Sequence, residues 1–190
     1  MAGNTIRVWD LPVRLFHWSL VLAFGIAYLT GDELQTLHVW AGYVVLGLIG
    51  FRLAWGVIGT RYARFSDFIY RPATVIAYLK DLVRLRGKRY LGHNPAGGAM
   101  VLALLGSLLA TTMLGLAAYA AKEGAGPLAD SLAGVSHFWK EVFEGGHEFF
   151  ANLTLILVAV HLVGVAVGSV LHRENLPRSM VTGLKRREPD

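Results

Sequence analysis

Four long apolar stretches alternate with polar ones along this chain, over residues 15–29, 37–58, 97–121 and 149–171. Runs of this length with few charges are what a helix needs to cross about 30 Å of hydrocarbon at about 1.5 Å per residue. The first is the shortest, and Trp9, Phe16 and Trp18 flank it as interfacial anchors. Residues 72–84 follow a different pattern. Val75, Ile76, Leu79, Leu82 and Val83 share one helical face, basic residues lie opposite, and Pro72 stands at a first helical position. This predicts a helix lying on the anionic inner leaflet, with docking to a partner as the alternative. Asn94-Pro95 predicts a capped start for the third span. The link over 130–144, with Phe138, Trp139, Val142 and Phe143, predicts a short helix capping the bundle.

Composition agrees with the pattern. The 190 residues are 54% hydrophobic and 16% charged, too apolar for an ordinary soluble domain. The expectation is one all-α integral membrane domain over residues 1–190, a four-helix bundle. The absence of cysteine excludes disulfides, thiolate metal sites, iron–sulfur clusters and covalent haem attachment. Asp10, Pro12 and Arg14 interrupt any signal-peptide pattern, so the first span is expected to stay in the mature protein.

Charge orients the spans. One side carries Arg7 and Arg14, then Arg61, Arg64, Arg71, Lys80, Arg84, Arg86, Lys88 and Arg89, then Arg173, Arg178, Lys185, Arg186 and Arg187. The other carries only Lys122 and Lys140, beside Asp32, Glu33, Glu123, Asp130, Glu141, Glu144 and Glu148. The positive-inside rule makes both termini cytoplasmic. The net charge of +5 is therefore a topology signal and not a nucleic-acid footprint.

Seven histidines remain to be explained. His147 and His161 are fourteen residues apart, so on a helix they leave one face about 21 Å apart. An imidazole at hydrocarbon depth marks function by default. The up-down course of the spans puts His38 level with His147 near the outer side, and His17 level with His161 near the inner side. Two histidines facing each other across a bundle suit a six-coordinate haem b iron. Zinc would want further ligands, and no carboxylate or thiol stands at those depths. Gly42, Gly164, Gly168 and Gly25 follow these histidines at spacings that leave room for a flat macrocycle; helix packing is their other use. Arg52, inside the second span, would meet a haem propionate or else snorkel to the inner headgroups. Arg14 and Arg64 are further candidates of that kind. His93 would hydrogen-bond a propionate or quinone, or serve the loop. His137 and His172 read as interfacial and structural.

Several motifs together resemble the bacterial di-haem cytochrome b561 group, which is related to the haem b anchor subunits of nickel–iron hydrogenases. They are Val8-Trp9-Asp10-Leu11-Pro12-Val13-Arg14-Leu15-Phe16-His17-Trp18, Leu37-His38-Val39-Trp40-Ala41-Gly42-Tyr43, Phe51-Arg52-Leu53-Ala54-Trp55-Gly56, Arg61-Tyr62-Ala63-Arg64-Phe65, Gly92-His93-Asn94-Pro95, and His161 with His172-Arg173-Glu174-Asn175. The resemblance implies four helices in a bacterial inner membrane, two non-covalent b haems on His17, His38, His147 and His161, and electron passage between a quinone pool and a redox partner. A periplasmic cytochrome c or another redox subunit is the expected partner. The acidic outer links suit a basic docking face. Two other readings stay open: an oxidoreductase in its own right, of quinone reductase or superoxide oxidase type, and an anchor whose histidines hold a structural metal or a transported ion.

Overall fold

A computed structural model describes residues 5–31 and 33–187; Asp32, counted above among the outer acidic residues, lies outside them. The fold is an all-α integral membrane bundle with four helices long and apolar enough to cross a membrane. These are α1 (Leu11–Thr30), α2 (Gln35–Ile58), α4 (Pro95–Glu123) and α5 (His137–Leu171). Between them stands α3 (Pro72–Val83), and after them α6 (Leu176–Thr182). Two short strands that the apolar pattern did not announce, β1 (Thr5–Arg7) and β2 (Leu184–Arg186), pair antiparallel with Ile6 opposite Lys185. The pairing joins the two ends of the described chain, which an even number of spans permits.

The helix starts follow local chemistry. Asp10 Oδ1 accepts the Val13 amide at 2.8 Å and opens α1 with Pro12 in its first turn. Asn94 Oδ1 accepts the Gly97 amide at 2.7 Å and opens α4 in the same way. Helix α3 starts at Pro72, as its sequence pattern predicts. Its Tyr78 is buried and donates to the Lys88 carbonyl at 3.2 Å, while Ile76, Leu79 and Val83 stay exposed.

The outer link differs from expectation. Phe138, Trp139, Val142 and Phe143 are not a separate capping helix. They form the first turns of α5, which begins twelve residues before the expected span, and only a 3-10 turn at Asp130–Leu132 precedes it. At 35 residues α5 is about 52 Å long, well beyond a hydrocarbon core of about 30 Å. The glycine pair Gly145-Gly146 and the polar residues around it did not break the helix.

The residues gather into two compact units. One comprises Met1–Ser19, Gly50–Ala103 and Val158–Asp190; the other comprises Leu20–Ile49 and Leu104–Leu157. The first is centred on Val8, Trp9, Val13 and Ala63. Within it Asp10 Oδ2 accepts from the Trp55 indole (3.0 Å) and the Thr60 hydroxyl (2.5 Å), tying the start of α1 to the end of α2. A buried ion cluster closes the same unit: Glu174 meets Arg89 at 2.7 Å and Lys185 at 3.2 Å, and the Lys185 ammonium also reaches the Tyr90 carbonyl. The second unit is centred on Ala23, Val45, Ile49 and Leu108. There the Ser107 and Thr154 hydroxyls bond at 2.7 Å between α4 and α5, with Thr154 only 1% exposed. Large apolar side chains on the spans, Leu22, Leu29, Ile156 and Val170 among them, face outward, as a bilayer solvent demands.

Candidate cofactor sites

In the second unit, α2 and α5 bring His38 and His147 together. Their ring centres are 5.7 Å apart and the rings stand at 86° to each other. Two imidazoles on opposite sides of one metal ion, each with a metal–nitrogen bond of about 2 Å, put their ring centres roughly 6 Å apart. The second ring nitrogens settle the tautomers. His38 Nδ1 lies 2.8 Å from the Ala27 carbonyl, and His147 Nδ1 lies 2.8 Å from the Thr111 carbonyl. A carbonyl only accepts, so each Nδ1 carries the proton and each Nε2 keeps its lone pair for a metal. This is the outer support by which a metal-ligating histidine is oriented.

Space beside the rings suits a macrocycle. A cavity of about 270 Å³ adjoins them, lined by Phe24, Gly42, Val45, Leu108 and Gly115 among others. A Cβ at Gly42 would meet nothing within 4 Å. Gly115 is different. A Cβ there would lie 2.7 Å from His147 Nδ1 and 2.9 Å from its Cε1, so only glycine lets this ring settle against α4. Spacing alone gave no sign of Gly115, because it lies on a helix without a histidine. Among the described residues, no group of three or more His, Cys, Asp or Glu could hold a metal ion. Two imidazoles and an apolar slot fit a haem, whose ring supplies the other four ligands, and do not fit bare zinc.

The first unit holds His17 and His161, the other expected pair. The His17 ring meets Trp18 edge-on at 5.0 Å. Its Nδ1 is buried without a hydrogen-bond partner among the described residues. A Cβ at Gly164, three residues after His161, would meet nothing within 4 Å, whereas Gly168 packs on Leu176. Gly25, placed with His17 by its spacing, falls in the unit of His38 and His147. Arg52 belongs to the unit of His17 and does not snorkel. It is 3% exposed, its guanidinium lies 4.8 Å from the Phe65 ring centre and 5.7 Å from that of Phe68, and Nη1 is buried and unpartnered. Such a donor fits the carboxylate of a haem propionate.

The remaining candidates separate. Arg14 Nη1 donates to the Val181 carbonyl and its Nε is buried without a partner. Arg64 is exposed, between the 3-10 turns Arg61–Ala63 and Phe65–Asp67. His93 lies between Trp9 (4.7 Å) and Phe68 (4.5 Å), with Nδ1 buried and unpartnered. Capping is done by its neighbour Asn94. Burial first, then Arg52, Lys185 and His161, push the His93 pKa down to about 3, so the ring is neutral at physiological pH. His137 is exposed and faces Glu141 at 3.8 Å, and the His172 carbonyl accepts from Arg186.

Comparison with known proteins gives the family of the chain. Residues 8–183 match the family model described as prokaryotic cytochrome b561. The chain is 26% identical to a probable Ni/Fe-hydrogenase B-type cytochrome subunit of Azotobacter chroococcum, over 95% of this chain and 88% of that one. It is 25% identical to the protein of the same description in Rhodobacter capsulatus, over 95% and 81%, and 22% identical to that of Cupriavidus necator, over 97% and 89%. No solved structure matches. The chain belongs to the prokaryotic cytochrome b561 family, membrane electron-transfer proteins that carry b-type haem.

Proposed function

We propose that this chain relays single electrons through two bis-histidine b haems, one on His38 and His147 and the other on His17 and His161, between a quinone pool and a redox partner at the periplasmic side. The observation that carries the reading is the perpendicular His38–His147 pair, with both Nδ1 protons on main-chain carbonyls. Both termini are cytoplasmic on this reading, which makes that pair the outer one. Arg52, Arg14 and Arg64 are the cations available to the inner propionates, and His93 is available to a propionate or quinone. What the bound haem supplies is a reversible one-electron couple. His38, His147, His17 and His161 would hold the haems, the protein would supply orientation and a low dielectric, and two imidazoles on each iron would leave no position for oxygen.

A periplasmic cytochrome c would use the acidic outer links for docking. The names of the relatives make a hydrogenase-type catalytic subunit another class of partner. The alternative, an oxidase or reductase acting on a small anion such as superoxide, calls for a free cation at the outer mouth. Lys122 lines the outer cavity but is paired with Glu144. That pairing favours the relay.

A reduced-minus-oxidised spectrum with a pyridine haemochrome count on the purified protein tests the proposal. Two low-spin b haems per chain are expected. No haem would sink it, and one haem would remove one of the two pairs.

A further inference from the structure

The two candidate ligand pairs are supported in different ways. His38 and His147 each donate Nδ1–H to a helix carbonyl, Ala27 and Thr111, at 2.8 Å. His17 Nδ1 is buried and has no partner among the described residues. A hydrogen bond from the far side of an imidazole raises its basicity as a ligand, and a more basic ligand favours the more highly charged, ferric iron. The support on His147 has a structural precondition. Its ring can reach the Thr111 carbonyl only because position 115, one turn further along α4, has no Cβ to strike Nδ1 at 2.7 Å.

From this contrast, and resting on the two-haem reading above, we infer that Gly115 is a positioning residue for His147 and that the carbonyls of Ala27 and Thr111 set the His38–His147 centre at a lower reduction potential than the His17–His161 centre. Nothing in the family assignment or in the spacing of the histidines states this. One electron arriving from a reduced partner at the outer centre would then run downhill to the inner one, with no proton transfer between the two. The order follows from main-chain groups, so side-chain substitutions at Ala27 or Thr111 leave it in place. The Thr111 hydroxyl is engaged elsewhere, donating to the Ser107 carbonyl at 2.9 Å.

The test is an equilibrium redox titration, followed in the visible spectrum, of the full chain with both haems counted. His161→Leu retains the outer centre and His147→Leu the inner, which assigns the two waves. The outer centre is expected to have the lower potential; an outer potential equal to or above the inner overturns the inference. Gly115→Ala is expected to raise the outer potential by at least the equivalent of a tenfold change in reduced-to-oxidised ratio, about 59 mV for one electron, and to leave the inner wave alone. Gly47→Ala, at a position where a Cβ meets nothing within 4 Å, is the control and should move neither. Loss of the outer haem alone in Gly115→Ala, in a protein that keeps its helix content, also supports the positioning role. An unmoved outer wave in Gly115→Ala overturns it. A wild-type protein with fewer than two haems fails at the count, before any potential is read, and that outcome overturns the two-haem reading itself.

Discussion

The two compact units of this protein solve the same problem with different means. In the unit of His38 and His147, order comes from uncharged groups inside the spans: main-chain carbonyls on the imidazoles, a glycine that admits a ring, and the Ser107–Thr154 hydroxyl pair. In the unit of His17 and His161, order comes from charged and aromatic groups gathered where the chain leaves the spans. Asp10 grips Trp55 and Thr60, Glu174 grips Arg89 and Lys185, and Trp9 and Phe68 enclose His93. The difference has a physical basis. Within hydrocarbon a charge is expensive and a carbonyl is already present on every turn, whereas near the headgroups ions can be paired with one another. The first design fixes a pair of imidazoles tightly, and the second ties the chain ends and loops together.

The largest effect that would break this comparison is loss of a cofactor. Either His147→Leu or His161→Leu should halve the haemochrome count, each removing one haem and sparing the other. Loss of both haems from one substitution would mean that the two sites are not independent. A smaller effect separates the units by stability. Glu174→Gln leaves Arg89 and Lys185 buried without their carboxylate, and breaking a buried pair of this kind should cost about 3 kcal/mol. Thermal unfolding in detergent should show it, with the His38–His147 spectrum lost later than the inner one. Simultaneous loss would argue that the units melt as one. Smaller again is Asn94→Ala, which removes the α4 cap and should cost about 1 kcal/mol, read from the same melting curves.

Much of this was legible in the sequence because hydrocarbon imposes few solutions. Four apolar runs could only be spanning helices, and the α3 pattern and the Asn94-Pro95 cap are local signals that the fold obeys. What the sequence hid depends on groups that every residue carries or on residues that lack a side chain. The carbonyls of Ala27 and Thr111 have no sequence signature. Gly115 is one of 22 glycines and is informative only once His147 is seen against it. The merging of residues 137–148 into α5 was hidden for another reason. Gly145, Gly146 and the charges around them look like a break, yet the helix runs through them. The β1–β2 ribbon joins residues about 180 apart, and three-residue strands give no periodicity to read. Likewise the pairing of Glu174 with Arg89 and Lys185 links three positions far apart in sequence.

The last effect concerns protons, and it sharpens the description of the unit of His17 and His161. His93 titrates at about 3 in the fold, against 6.5 for a free imidazole, because burial between Trp9 and Phe68 disfavours its charged form and Arg52, Lys185 and His161 add repulsion. Between these values the unfolded chain binds a proton that the folded chain does not. Stability linked to His93 is therefore intact above about pH 6.5 and declines as pH falls towards 3, by at most about 1.4 kcal/mol per pH unit. Glu174 acts in the same direction but in a lower range. Burial raises its pKa, yet its bonds to Arg89 and Lys185 outweigh this and hold the carboxyl below its usual 4.5, so its contribution is lost only as pH falls through that depressed value. The two are separable between pH 5 and 6.5, where only the histidine responds. His93→Phe keeps a ring between Trp9 and Phe68 and removes the titration, so its melting temperature should vary less with pH across that window than the wild type's. Identical slopes for the two proteins would mean that His93 takes up its proton in the fold and that the aromatic enclosure is open to water.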